Sequence, residues 1–141
     1  MEQKLDNIQQ HMKSNNLRLI QIPEAEGEIL TDKVYDIFTN KMKVNINKSE
    51  ITAVYRVGRR SNTKPRHVLV SFTHNSIKMA TYNKKKFLKG TKLVIKEDLT
   101  PHRLKVVKAA SDKFGFKNVW TVNGNIFANT VKGVEKFSVN E

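Results

Sequence analysis

The order in which two apolar periodicities follow one another limits the fold of this chain more than any other feature. Short β-rich runs predict strands at Leu17–Pro23, Ile51–Val57, His67–Phe72 and Lys92–Lys96, and helical spacing predicts helices at Glu28–Val44 and Asn75–Lys86. The first of these helices places six apolar side chains on one stripe: Ile29, Leu30, Val34, Ile37, Phe38 and Met42. The resulting order is strand, helix, strand, strand, helix, strand.

This βαββαβ order is that of the ferredoxin-like α+β fold, in which two helices cover one face of a sheet and leave the other face open. Residues alternate between the two faces of a strand. In the third strand, Val68, Val70 and Phe72 are therefore expected toward the helices, with the intervening residues outward. We predict a ferredoxin-like domain over residues 15–97.

The remaining carboxy-terminal residues, 98–141, predict a small α/β lobe. Thr100 is a suitable N-cap with Pro101 at the first helical position, so a helix is expected to about Lys113. Asn123-Gly124, between Val119–Val122 and Ile126–Ala128, is a strong β-hairpin signal, and a last strand is expected near Glu135–Val139.

A short helix is predicted at the amino terminus, within residues 1–14. Leu5, Ile8 and Met12 are spaced three and four residues apart, which is typical of a coiled coil, although the segment is too short to be stable alone. It is either the end of a coiled coil, through which the chain forms a homo-oligomer, or a capping helix packed on the domain.

The charge of the chain is strongly positive and unevenly distributed. Residues 1–49 carry seven basic and seven acidic side chains, so the net charge of +13 lies entirely in residues 50–141. A segregated excess of this sign favours a face that binds polyanions such as nucleic acid. The alternative is a solvated basic surface without a partner.

Several classes of function lack their residues in this sequence. There is no cysteine, no apolar run long enough for a membrane span and no signal peptide, which indicates a cytoplasmic or nuclear protein without a membrane partner. The four histidines show no metal-ligand spacing, and adjacent Glu97 and Asp98 point to opposite faces of a strand. We therefore predict no enzyme activity, no metal and no cofactor.

A βαββαβ domain with a basic excess is similar to an RNA-recognition motif, whose first and third strands present aromatic side chains that stack on bases. Here the first strand has Arg18 at the aromatic position, and the third would present His67, Leu69 and Ser71. The usual stacking platform is missing. A non-standard motif that relies on phosphate contacts is therefore expected.

Three motifs together carry a resemblance to a family. NNLRLIQIPEAEGE (Asn15–Glu28), ITAVYRVGRR with KPRHVLVSF (Ile51–Phe72) and LVIKEDLTP (Leu93–Pro101) resemble the first-reading-frame RNA-binding proteins of LINE-type retrotransposons. They also resemble the baculoviral few-polyhedra (FP) proteins and their insect relatives, and residues 98–127 are closer to the FP type. The resemblance implies a coiled coil, a non-standard RNA-recognition motif and a small carboxy-terminal domain, which together coat RNA and act as a nucleic-acid chaperone.

The candidate contacts to single-stranded RNA, with DNA left open, are basic side chains in and beside the predicted strands and two aromatic residues for base stacking. They are Arg18, Tyr55, Arg56, Arg59, Arg60, Lys64, Arg66, His67, Lys84, Lys85, Lys86, Lys92, Lys96, Arg103, Lys117 and Trp120. For Trp120, burial in the small lobe is the competing interpretation. The competing function for the whole chain is a protein-interaction and oligomerisation module whose basic face docks an acidic protein.

Overall fold

The computed structural model describes residues 2–137, and these form two compact units. We call Asn15–Lys96 the four-stranded unit, and residues 2–14 together with 97–137 the three-stranded unit. The predicted strand near Glu135–Val139 therefore lies partly outside the described residues. In the part of the chain that is described, no helix is long and apolar enough to cross a membrane.

The protein is mixed α+β, with two antiparallel sheets. Its described helices and strands follow in the order α1 (Glu2–Met12), β1 (Asn16–Ile20), α2 (Leu30–Asp36), β2 (Ile51–Arg56), β3 (Val68–Phe72), α3 (Asn75–Tyr82), β4 (Val94–Glu97), α4 (Pro101–Phe114), β5 (Val119–Val122), β6 (Asn125–Thr130) and β7 (Gly133–Phe137).

The four-stranded sheet has the strand order β2-β3-β1-β4. Leu17 and Leu19 of β1 are fully buried in one apolar core, which also contains Val68, Val70 and Phe72 of β3. This confirms the orientation predicted for β3. The Phe72 ring stacks on that of Phe38, which follows α2, with 5.7 Å between the ring centroids. One face of the sheet thus packs on the helical layer, and side chains that alternate with the core residues lie on the other face, which we call the open face.

Strand β2 departs from the simple alternation of its sequence. The pairing register with β3 shifts between Ile51 and Ala53, so Thr52 occupies an irregularity in the strand. An extra residue in one strand reverses which later residues face the core. As a result, Ile51 and Val54 both pack on the core, whereas Tyr55 is 51% exposed on the open face.

Both helices of the four-stranded unit are shorter than their apolar patterns indicated. After α2 the chain continues through a π-helical turn at Ile37–Lys41, and Met42 donates its backbone N–H to the carbonyl of Ile37. After α3 it forms a 3-10 turn at Lys85–Leu88, in which Leu88 is buried. The pattern located these helical regions correctly, and tighter or wider turns form their last parts.

The three-stranded unit confirms the local signals for its helix and hairpin. The hydroxyl oxygen of Thr100 accepts a hydrogen bond from the backbone N–H of Arg103, and Pro101 opens α4. Asn123 and Gly124 both have positive φ, 52° and 79°, which a type I′ turn between β5 and β6 requires. The sheet order is β5-β6-β7, and Ile126 and Ala128 of β6 are fully buried.

Helix α1 contacts this unit through its polar side. The Gln10 side chain donates to the carbonyl of Asp98 and accepts from the N–H of Thr100, both at 2.9 Å. A Cβ at Gly124 would lie 2.8 Å from Cγ of Gln10, so glycine allows the close approach of α1 to the hairpin turn. Leu5, Ile8 and Met12 are 56%, 56% and 78% exposed. The helix therefore packs as a cap and still presents its apolar stripe to solvent.

Candidate nucleic-acid interface

The open face of the four-stranded sheet brings together four of the predicted contacts. Strand register aligns Tyr55 of β2 with Leu69 of β3, and Leu69 with Arg18 of β1, in one row across three strands. On β4, exposed Lys96 follows buried Ile95 and so lies on the same face. His67 precedes β3 at the end of the row of outward-facing residues.

Arg18, His67 and Lys96 form a basic cluster on this face. A guanidinium nitrogen of Arg18 lies 3.5 Å from Nδ1 of His67. Partial burial lowers the pKa of His67 below its usual value, and the positive charges of Arg18 and Lys96 lower it further. The imidazole is thus neutral at pH 7, and an anion placed here would relieve the repulsion that opposes its protonation.

The open face contains no carboxylate among its described residues. Its remaining side chains are small, apolar or amide: Asn16, Ile20, Ala53, Leu69, Ser71 and Val94. Lys92, which is exposed just before β4, extends its basic character. An approaching phosphate would therefore meet no carboxylate from the described residues of this face.

The loop between β2 and β3 divides its basic residues into two groups. Arg59 and Lys64 are exposed, and Arg60 is 68% exposed with its Nε 3.8 Å from a carboxylate oxygen of Glu24. Arg66, by contrast, donates from Nη2 and Nε to Oε1 of Glu24 at 2.8 and 3.1 Å. Glu24 thus already occupies the fork of Arg66 that would grip a phosphate.

The side chain of Arg56 is only 4% exposed and has a structural role. Its five N–H donors all end on internal acceptors: both carboxylate oxygens of Glu28 and the carbonyls of Ile22, Pro23 and Arg66. The hydrogen bond from Arg56 lowers the pKa of Glu28 to about 2. No donor of this side chain remains for a ligand, so we assign Arg56 to the fold rather than to the interface.

The lysine run after α3 is exposed and lies against aromatic rings. Nζ of Lys85 is 4.1 Å from the centroid of the Tyr82 ring, and Nζ of Lys84 and Lys86 are 5.6 and 5.7 Å from that of Phe87. These contacts hold the ammonium groups near the surface of the unit without neutralising them. The run remains a candidate basic ridge.

Arg103, in the three-stranded unit, is also structural. It is 6% exposed, and its guanidinium donates to Asp6, Asn7 and the carbonyl of Gly124 at 2.7–2.8 Å. Burial by itself would raise the pKa of the Asp6 carboxyl, but hydrogen bonds from Thr100 and Arg103 outweigh burial and hold it below the usual value. This ion pair fastens α1 to α4, and it removes Arg103 from the predicted contacts.

The turn before α4 also positions two buried carboxylates. Glu97 accepts hydrogen bonds from the backbone N–H groups of Asn123 and Gly124 at 2.9 and 3.1 Å, and Asp98 lies 3.6 Å from Nζ of Lys13. Both acids are thus held by contacts within the three-stranded unit.

The last two predicted contacts lie in the three-stranded unit. Lys117 is exposed in a 3-10 turn before β5, and Trp120 is half-buried in β5, stacked on Phe127 of β6. Neither interpretation of Trp120, burial or full exposure, describes it completely. Sequence reasoning missed Phe127 and its neighbour Lys136, although the alternation of β6 after the Asn-Gly turn was a usable signal.

The residues described in the structure contain no group of three or more His, Asp or Glu side chains that could hold a metal ion. No protein-family model matches the chain, and the curated proteins include no significant match to it.

Proposed function

We propose that this protein binds single-stranded nucleic acid, mainly RNA, with weak sequence preference and chiefly through contacts to phosphates. The observation that carries the proposal is the open face of the four-stranded sheet, where Arg18, His67 and Lys96 cluster beside Tyr55 and no carboxylate is found among the described residues. Phosphate contacts supply much of the affinity of such proteins and little of their specificity.

We also infer that the four-stranded unit has the ferredoxin-like arrangement of a non-standard RNA-recognition motif. The strand order β2-β3-β1-β4 and the placement of α2 and α3 after β1 and β3 support this inference. The open face also supports it, and Arg18, at the position where a standard motif would present an aromatic ring, is what makes the motif non-standard.

The motifs quoted above support a wider proposal, that the chain is related to the LINE-type RNA-binding proteins and the FP proteins. A nucleic-acid chaperone acting on RNA in the cytoplasm or nucleus would follow from that relationship. The proposal involves no catalysis and no cofactor, because binding and release of a charged strand need neither.

The exposed stripe of α1 favours a second role in assembly. Leu5 and Ile8 are each 56% exposed while the opposite side of the helix, with Asp6 and Gln10, is buried. Apolar residues at this spacing pair with an equivalent stripe on another helix. We propose that copies of the chain associate through α1. Replacing Leu5 and Ile8 with Lys should then lower the mass measured by light scattering, and an unchanged mass would remove α1 from assembly.

The test of nucleic-acid binding is fluorescence anisotropy with labelled single-stranded RNA, single-stranded DNA and duplex at several salt concentrations. We expect single strands to bind more tightly than duplex, and log Kd to rise with log salt by about 0.7 for each phosphate contacted. No binding at low salt would overturn the proposal. Partners recovered in pulldowns that survive nuclease would then favour the acidic-protein alternative.

The site itself is tested by the double change Arg18→Gln/Lys96→Gln. If both side chains contact phosphates, the salt slope falls by about 1.4. The matched control is Lys41→Gln/Lys89→Gln, which removes the same charge from exposed positions outside the four strands. Equal losses in the two variants would mean that net charge, and not the open face, drives binding.

A further inference from the structure

The three-stranded sheet also has a face that is turned away from its helix. Ile126 and Ala128 of β6 are fully buried, and Phe137 of β7 lies 5.7 Å from the Phe114 ring of α4. These residues define the side of the sheet that packs on α4. Residues that alternate with them lie on the opposite side, which we call the aromatic face.

One registered row crosses all three strands of the aromatic face. Trp120 of β5 pairs with Phe127 of β6, and Phe127 pairs with Lys136 of β7. The two rings are stacked, with 6.1 Å between centroids and 16° between planes. The row therefore presents two nearly parallel half-buried rings beside an exposed ammonium group.

The described residues around this row are valines and asparagines, without a carboxylate. Val122 and Val134 are 40% and 64% exposed, and Asn125 and Asn129 lie on the same side of β6. Glu135 pairs with Ala128 and so belongs to the face that packs on α4. The described residues of the aromatic face thus include a lysine, two amides and no carboxylate.

We propose that the aromatic face is a platform on which unpaired nucleobases stack. A nucleobase lies flat on aromatic rings whatever its identity, amide groups can hydrogen-bond to its edge, and Lys136 is placed to meet the adjoining phosphate. This inference rests on the proposed function and gives the three-stranded unit a distinct part in it, because contact here is with bases.

Charge favours a nucleic acid over a protein as the occupant. Apolar protein surfaces would also cover Trp120 and Val134, but they gain nothing from Lys136 or from the charge of +13 on the chain. A polyanion with planar aromatic groups matches both the rings and the lysine. The same chemistry predicts tolerance of base sequence, since every base has a π face.

The experiment compares a single-stranded RNA 12-mer of uridines with a strand of the same ribose–phosphate backbone in which the bases are replaced by abasic spacers. Trp120 is the single tryptophan of the chain, so its emission reports on the platform directly. We expect the base-containing strand to bind roughly 5- to 100-fold more tightly, the effect of one stacked base. Only that strand should quench Trp120.

Three variants assign the effect to the platform. Trp120→Leu and Phe127→Leu should each reduce the preference for the base-containing strand while leaving the salt slope unchanged, and Trp120→Phe should restore part of it. The control is Phe116→Leu, which removes a 75% exposed ring outside the three strands. Circular dichroism identifies any variant that fails to fold, and Phe127→Leu keeps the tryptophan reporter.

The outcomes separate this inference from the proposed function. Equal affinity for the two strands, without quenching, overturns the platform and leaves phosphate binding intact. Failure to bind either strand overturns both. A change in Trp120 emission with protein concentration alone would show that the aromatic face pairs with another copy of the chain, which also overturns the platform.

Discussion

Arginine side chains lie both beside Glu24 and Glu28, in the segment between β1 and α2, and on the open face of the four-stranded sheet, and their surroundings differ. Beside that segment, Arg56 and Arg66 donate to the carboxylates of Glu28 and Glu24. On the open face, Arg18 lies beside the imidazole of His67, and exposed Lys96 is near the same ring. The positive charge of a segment therefore overstates the charge that is available to a partner.

The three-stranded unit repeats this contrast. Arg103 is buried against Asp6, whereas Lys117 and Lys136 are exposed. In both units, arginine side chains, which are planar and carry several donors, hold separate parts of the chain together. Exposed lysines provide most of the remaining positive charge at the surface. This division between buried arginines and exposed cations can be tested by substitution.

The largest effect is expected from the change Arg103→Ala. It leaves Asp6 buried without its partner, and breaking a buried ion pair in this way costs about 3–5 kcal/mol. The free energy of unfolding of the three-stranded unit, followed in urea by Trp120 emission, should fall by that amount. Lys105→Ala removes an exposed neighbouring charge and should change little. Equal effects of the two changes would contradict a structural role for Arg103.

A smaller loss of stability is expected from Glu28→Gln in the four-stranded unit. It weakens the charged hydrogen bonds to Arg56, which contribute about 2–3 kcal/mol. Because the pKa of Glu28 is about 2 in the folded protein and 4.5 ordinarily, this stability is present above pH 4.5 and is lost as the pH falls toward 2. Circular dichroism melts across that range should depend less on pH in the variant, and Glu26→Gln is the exposed control.

The exposed half of the comparison is tested by Arg59→Ala/Arg60→Ala. These residues of the loop between β2 and β3 should contribute to phosphate contacts, so the affinity for single-stranded RNA should fall by on the order of tenfold at 0.1 M salt, alike for all sequences. Anisotropy titrations measure it. An unchanged affinity would mean that Glu24 neutralises the charge of Arg60 in addition to that of Arg66.

The smallest effect concerns His67. Its pKa is lowered by burial and by Arg18 and Lys96, and a bound phosphate would raise it, so binding should be accompanied by proton uptake. Affinity should therefore increase a few-fold as the pH falls from 7 toward the pKa of the free protein. In His67→Gln the additional pH dependence should disappear. If the pH profiles of the two proteins coincide, His67 is not close to the bound strand.

Local signals in the sequence predicted most of the described helices and strands, because caps, turns and alternation act over a few residues. Thr100, Pro101 and the Asn123-Gly124 turn gave the start of α4 and the β5–β6 hairpin correctly. The irregularity at Thr52 was not predictable from the same alternation, since the pairing with β3 creates it. This irregularity in β2 places Tyr55 on the open face.

The internal role of the arginines could not be predicted, because it depends on partners distant in the chain. Arg56 meets Glu28 across 28 residues, and Arg103 meets Asp6 across 97. Composition counts such residues as basic surface. The outward positions of Arg18 and His67 were predicted from alternation, whereas the placement of Lys96 near them required the order of the strands in the sheet.

The contact of α1 with the three-stranded unit has a consequence for the order of folding during synthesis. Asp6 and Gln10 find their partners at Thr100, Arg103 and the Asp98 carbonyl, more than 85 residues later. In the sequence, the four-stranded unit stands between these two segments, and it can fold as soon as residue 96 has left the ribosome. Until residues 98–103 are made, helix α1 lacks its partners, and the polar side that will later be buried is in water. During this time it can associate with other nascent chains. Because β1 and β4 are neighbouring strands of one antiparallel sheet, folding of the four-stranded unit itself shortens the loop that separates α1 from its partners.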